Sequence, residues 1–203
     1  ELDKDRLPGI EHDAVSLRRS VTISNKDENI IWSTVDARVA RIREDNQSDV
    51  PVIISNPINN FPADWNRHEN LTNKIDFSYA FTYGKGSFDP AKTTRFGYEL
   101  NTPLLSRKSW FRATPSSEKY FNLNNPNILL INLKSTDQGV IIRLLNADSK
   151  SNQTAEIKSK LFTDFRAETV DLLGNKIQSL QINSDVIEVT LKAGAFTDIL
   201  INK

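Results

Sequence analysis

From Asn127 onward the chain is a near-regular series of short aliphatic and β-branched runs: NILLINLK, GVIIRLLN, QTAEIKSKL, FRAETVDL, KIQSLQI, DVIEVTL and FTDILIN. Each is shorter than an ordinary helix, and TDQG, NADSKSN, LGN and NSD punctuate them with turn-forming residues. Runs of this length bury a face only by pairing side by side, so the series predicts short antiparallel strands closed into a small sandwich over 127–203. Leu173-Gly174-Asn175 is the expected hairpin tip between two of them, because Gly and Asn accept the positive φ of a tight turn.

Upstream, VSLRRSVTI, ENIIWST, ARVARI and VPVIIS read as further strands, broken by polar NKD and EDNQSD. In KIDFSYAFTY, Ile75, Phe77, Tyr79, Phe81 and Tyr83 alternate with Asp76, Ser78, Ala80 and Thr82. Strict alternation of that length predicts a half-buried strand. FDPAKTTRFGYELNTP predicts the one short helix, near 89–100, with Asp89 as N-cap, Pro90 at the first helical position and Asn101 before Thr102-Pro103 as its stop. Residues 106–126 carry neither period and hold Pro115, Ser116, Ser117 and an Asn-rich end. The expected class is therefore all-β, with a β-sandwich region over 1–115, a connection over 116–126 and a C-terminal sandwich over 127–203.

Lys and Arg together (26) balance Asp and Glu (26), so net charge gives no reason to expect nucleic acid or an anionic membrane as partner. With no cysteine, disulfides and thiolate metal sites are excluded, and the compartment stays open. No apolar run approaches the roughly 20 residues that span a bilayer. The chain starts at Glu1 and holds no methionine, so the expectation is a processed chain or a piece of a longer one.

INNFPADWNRHEN is the best candidate for contact with a sugar. Asn59, Asn60 and Asn66 bring amides that hydrogen-bond hydroxyl groups, and Trp65 brings an indole face that packs on sugar C–H surface. The competing reading is a polar surface loop anchored by Trp65. Asp64 and Glu69 read as solvated acids, since a glycosidase acid needs a second carboxylate at a separation that sequence does not give. His12 and His68 lack partners at ligand spacing, so no metal site is argued. Asn46, Asn70 and Asn152 open N-x-[ST] triplets that matter only in a eukaryotic secretory setting.

Arg143 interrupts the most apolar run, on the face of GVIIRLLN it shares with Ile141 and Leu145. A guanidinium there keeps its charge and must be paired or reach water along its stem.

Three segments, in order, resemble one family. SLRRSVTISNKDENIIWSTVDARVARI resembles the part of glycoside hydrolase family 38 α-mannosidases in which a strand and loop lead into W-x-[TS]-x-D-A. ISNPINN with FDPAKTTRFGYELNTPLL is similar to its later Asn-Asn pair, aromatic strand and Asp-Pro helix, with FPADWNRHENLT in place of a more compact W-x-x-N-[YF]. NPNILLINLKSTDQGVIIRLLNADSKSNQTAEIK, DLLGNKI and the closing FTDILI are similar to its extreme C-terminus. The resemblance covers nearly the whole chain. It implies the non-catalytic C-terminal β region of an α-mannosidase-like glycoside hydrolase, part of a larger super-sandwich. Such a region braces the catalytic domain of the same polypeptide and either does or does not line its pocket for a mannose-containing carbohydrate. No cofactor and no catalytic residue is expected in this chain, the zinc and the carboxylate nucleophile lying in an N-terminal domain. Arg143, at a position where the family's strand has an arginine, is implied either as a structural pair at a domain junction or as a group facing the sugar. In place of the acid that commonly follows that arginine stands Asn146. Two other classes stay open: an independent carbohydrate-binding module with an aromatic platform on Trp65 or Trp110, and a structural or adhesive sandwich.

Overall fold

The computed structural model describes residues 14–44, 51–55, 76–102, 104–105, 119–162 and 164–202. The chain divides into two compact units, Glu1–Phe88 with Thr93–Leu104, and Leu105–Lys203 with Asp89–Lys92. The fold is all-β, built of antiparallel sheets with one short α-helix, as the run lengths predict.

In the first unit β1 (Ala14–Ser16) pairs with β4 (Val39–Glu44), and β4 with β5 (Pro51–Ser55). A second three-stranded sheet has β2 (Ser20–Ser24), β3 (Glu28–Thr34) and β6 (Tyr79–Lys85) in that order. VSLRRSVTI is thus two strands, and just past the first Leu17 N–H donates to Arg38 O at 2.7 Å, extending the β1–β4 pairing by one residue. Asn25 closes the β2–β3 hairpin, its Oδ1 accepting from the backbone N–H groups of Asp27 and Glu28.

The helix α1 (Pro90–Asn101) begins where the sequence places it. Asp89 Oδ1 accepts from Ala91 N–H and Lys92 N–H, satisfying donors that the first turn leaves unpaired. Asn101 Nδ2 donates back to Gly97 O. The helix lies on one face of the second sheet: Ser20 Oγ donates to Thr93 O, Thr22 and Thr93 hydroxyls meet at 2.7 Å, and the Arg19 guanidinium sits 4.1 Å over the Tyr98 ring. Gly97 permits this approach, since a Cβ there would come within 2.9 Å of Arg19 Cβ.

That packing decides which side of the alternating strand is covered. A half-buried strand ordinarily hides its aromatic side, yet in β6 Tyr79, Phe81 and Tyr83 are exposed, while Ala80 and Thr82 are half-buried and Gly84 is buried. The helix-facing side of the sheet carries Ser33, Ile31 and Asn29 opposite Ala80, Thr82 and Gly84. Small side chains suit a face that a helix backbone approaches this closely, and the bulky ones turn outward.

The second unit is a sandwich. Five strands lie in the order β12 (Lys176–Leu180), β11 (Arg166–Val170), β15 (Phe196–Asn202), β9 (Gly139–Asn146), β8 (Ile128–Thr136). Four face them, β13 (Ile182–Asn183), β14 (Val186–Leu191), β10 (Gln153–Lys158) and β7 (Asn122–Leu123). Ile128, Ile142, Leu144, Ile199 and Ile201 of the first sheet pack with Ala155, Ile157, Ile187, Val189 and Leu191 of the second in one core. KIQSLQI supplies both β12 and β13, so the chain changes sheets at Gln181. Within QTAEIKSKL the strand stops at Lys158, and a 3₁₀ turn at Lys160–Phe162 drops Phe162 into the core. At the hairpin tip Gly174 takes φ 86° and Asp171 Oδ1 accepts from the N–H groups of Leu173 and Asn175.

Candidate functional site

Asn59, Asn60, Trp65 and Asn66 lie outside the described residues, as do Asp64, Glu69, Trp110 and both histidines. The structure fixes the two ends of the segment that carries the four. β5 pairs with β4 in one sheet, Ala40 opposite Ser55, and β6 pairs with β3 in the other, Thr34 opposite Tyr79. The Ser55 Oγ and Tyr79 Oη atoms at these ends are 3.2 Å apart.

The side of the β2–β3–β6 sheet away from α1 is apolar, with Ile30, Tyr79, Phe81 and Tyr83 exposed. Ile30, Trp32 and Thr34 of β3 oppose Tyr83, Phe81 and Tyr79 of β6, and on the other side Ile23 and Val21 of β2 oppose Ile30 and Trp32. Residues two apart on a strand stand on one face about 7 Å apart, so the β6 aromatics form a row along the outer strand. Phe81 at its middle is 76% exposed. Trp32 stacks on Tyr79 with ring centroids 5.4 Å apart at 27°. Tyr83 Oη donates to Glu28 Oε1, and that hydrogen bond to a carboxylate raises the phenol's pKa. The described residues thus carry an exposed row of aromatic side chains at positions to which the sequence reading gave no site role. The period-2 row itself was visible; which side of it would face outward depends on α1.

Arg143 has a partner. On the side of the five-stranded sheet turned away from the core, β9 and β15 place Arg143 directly opposite Asp198. The guanidinium grips the carboxylate with both prongs, Nε to Oδ1 at 2.7 Å and Nη2 to Oδ2 at 2.6 Å. Hydrogen bonding to Asp198 raises the arginine's pKa further above its ordinary value, against the opposing effect of burial. Asp198 is 7% exposed and the Arg143 side chain 38%, so the carboxylate is the buried member. Around them Leu129, Leu145, Val170 and Leu200 are buried as well, so this sheet hides apolar side chains on both faces.

Asp198 was missed in the sequence, although FTDILIN shows a lone acid in an apolar run just as GVIIRLLN shows a lone base. Asn146 is held differently. Fully buried, it donates through Nδ2 to Ser151 O and Lys192 O and accepts at Oδ1 from Asp148 N–H, tying the end of β9 to two loops. Among the described residues no three His, Cys, Asp or Glu side chains gather as a metal-binding group. Nor, among them, is any helix long and apolar enough to cross a membrane. Compared with models of known protein families and with curated proteins, the chain matches none.

Proposed function

We propose that this chain is the non-catalytic C-terminal β region of an α-mannosidase-like glycoside hydrolase, bracing a catalytic domain of the same polypeptide that holds the zinc and the nucleophile. The resemblance of three ordered segments motivates the reading, and the observation that supports a structural, non-substrate role for Arg143 within it is the closed Arg143–Asp198 fork. A guanidinium whose bidentate edge is taken by a buried carboxylate on the neighbouring strand is a structural clamp. The test is Arg143→Ala made both in this chain and in the full polypeptide. The expected result is a lowered melting temperature in both, with hydrolysis of an aryl α-mannoside by the full polypeptide changed less than about twofold below the melt. An unchanged melt with collapsed hydrolysis would place Arg143 at the sugar instead. Robust nitrophenol release by the isolated chain would refute the non-catalytic assignment.

A second reading, an independent carbohydrate-binding module, is favoured by the exposed row Tyr79, Phe81 and Tyr83. Titration calorimetry of the isolated chain with mannose oligosaccharides separates the two. Sub-millimolar binding that is lost in Phe81→Ala supports the module, and silence supports the brace.

A further inference from the structure

We propose that the notch where the chain passes from the five-stranded sheet to the four-stranded one is a binding site for a single sugar acid, a small hydroxyl-rich monoanion.

The crossing at Gln181 makes the site. β11 and β15 pair as far as Arg166–Asn202, but the β11–β12 ladder ends one residue short of that, at Ala167–Leu180, where the chain departs for β13. Beside the end of β11 this leaves a cavity of about 390 Å³. Its floor is apolar: Ala167 belongs to the core of the sandwich, and Phe165, Leu180 and Ile182 pack against that core. Its rim is polar. Residues directly opposite in an antiparallel ladder share a face, so Asn202 stands beside Arg166 and Ser179 beside Glu168, on the side of the sheet away from Ala167. Gln181 lines the cavity from the crossing itself, and Lys176 from further along β12.

The balance of these groups selects the ligand. Lys176 Nζ and Glu168 Oε2 are 3.0 Å apart and neutralise each other. Among the described residues, the Arg166 guanidinium, the Ser179 hydroxyl and the Gln181 and Asn202 amides make no side-chain hydrogen bond or ion pair, so an unmatched positive charge and a set of unused donors and acceptors surround one cavity. A guanidinium fork matches a carboxylate. Amide and hydroxyl groups both donate and accept, as sugar hydroxyls require, and the C–H face of a ring covers an apolar floor. A concave apolar site with a few convergent polar groups is the anatomy of a small-molecule pocket, and a volume at the lower end of the roughly 300–1,000 Å³ of such pockets suits one ring rather than an oligosaccharide. A neutral sugar leaves the guanidinium unmatched, and inorganic phosphate leaves the floor uncovered.

Titration calorimetry of the chain with D-glucuronate, D-glucose and inorganic phosphate provides the test. Glucuronate should bind with a dissociation constant on the order of 1 mM, the scale open to so small a ligand, and glucose and phosphate at least about tenfold more weakly. Amide chemical-shift changes on adding glucuronate should gather at Arg166, Gln181 and Asn202. Arg166→Gln should weaken glucuronate by roughly tenfold, since it removes the charge-assisted fork, and Ser179→Trp should fill the notch and abolish binding. Both positions are exposed, so both variants should keep the parent's melting temperature. Binding of none of the three probes overturns the proposal, as does glucuronate binding that survives Arg166→Gln in a folded variant. Equal binding of glucose would show that the charge plays no part, and equal binding of phosphate would reduce the notch to a plain anion site; either result overturns the assignment to a sugar acid.

Discussion

At the scale of single residues, the Arg143–Asp198 pair shows how a charge is accommodated in an apolar strand. The pair lies between the wet limit, worth about 0–1 kcal/mol, and the dry one, where losing a partner costs roughly 3–5 kcal/mol. With the guanidinium more than a third exposed, the effect must be discounted toward the wet limit, so Arg143→Ala should cost about 1 kcal/mol by urea denaturation. Arg143→Lys should recover only part of it, because an ammonium lacks the fork. No loss in either variant would reduce the residue to an ordinary solvated side chain. Asp171 makes a different prediction. Hydrogen bonds from the Asn175 side chain and backbone, then from Leu173 and Gly174, hold its carboxyl below the ordinary carboxylate range, and Ser151 foremost does the same for Asp148. A folded-state pKa below the unfolded one adds stability above the unfolded value, which is lost as pH falls through the folded one. Asp171→Asn should therefore shallow the fall in stability on acidification below about pH 4; a slope identical to the parent's would show that the tip does not matter for acid tolerance.

Among the elements, β6 and α1 explain each other. Because the helix lies on the small-residue side, Ile31 is buried while Phe81, on the neighbouring strand and the opposite face, is not. Ile31→Ala should then cost about 2–5 kcal/mol, whereas Phe81→Ser should stay within about 0.5 kcal/mol. A reversed order in denaturation midpoints would mean that the aromatic side is the buried one after all. Gly97→Ala should destabilise despite the better helix propensity of alanine, since its methyl would press on Arg19 Cβ; a more stable variant would show that the helix can ride higher on the sheet. These elements also mark where sequence stops being informative. Asp89-Pro90 announces α1 and Gly174 announces a hairpin because both signals are local. Alternation in β6 gives a period but leaves open which side faces inward, a choice made by the packing of α1. Asp198 stands 55 residues from Arg143, and only the β9–β15 register brings them together. The candidate sugar residues Asn59, Asn60, Trp65 and Asn66 lie outside the described residues, so their chemistry is known only as composition.

On the scale of the whole molecule, the second unit holds its own core, with Ile142, Leu144, Ile187, Leu191 and Ile199 essentially inaccessible to solvent. Residues 105–203 expressed alone should fold cooperatively with a strand-rich far-ultraviolet spectrum; a coil spectrum would show that the unit depends on the rest of the chain. In the first unit, the hydroxyls of Ser55 and Tyr79 meet at 3.2 Å although residues 56–78 separate the two in sequence. Two anchor points that touch make the intervening stretch exchangeable, because lengthening such an excursion twofold adds only about 0.6 kcal/mol of closure entropy. Related chains are thus free to vary that stretch in length and composition while inheriting the sheet intact. Insertions and deletions should gather there over evolutionary time, and a designer seeking to graft foreign recognition onto this scaffold would cut at the same two residues.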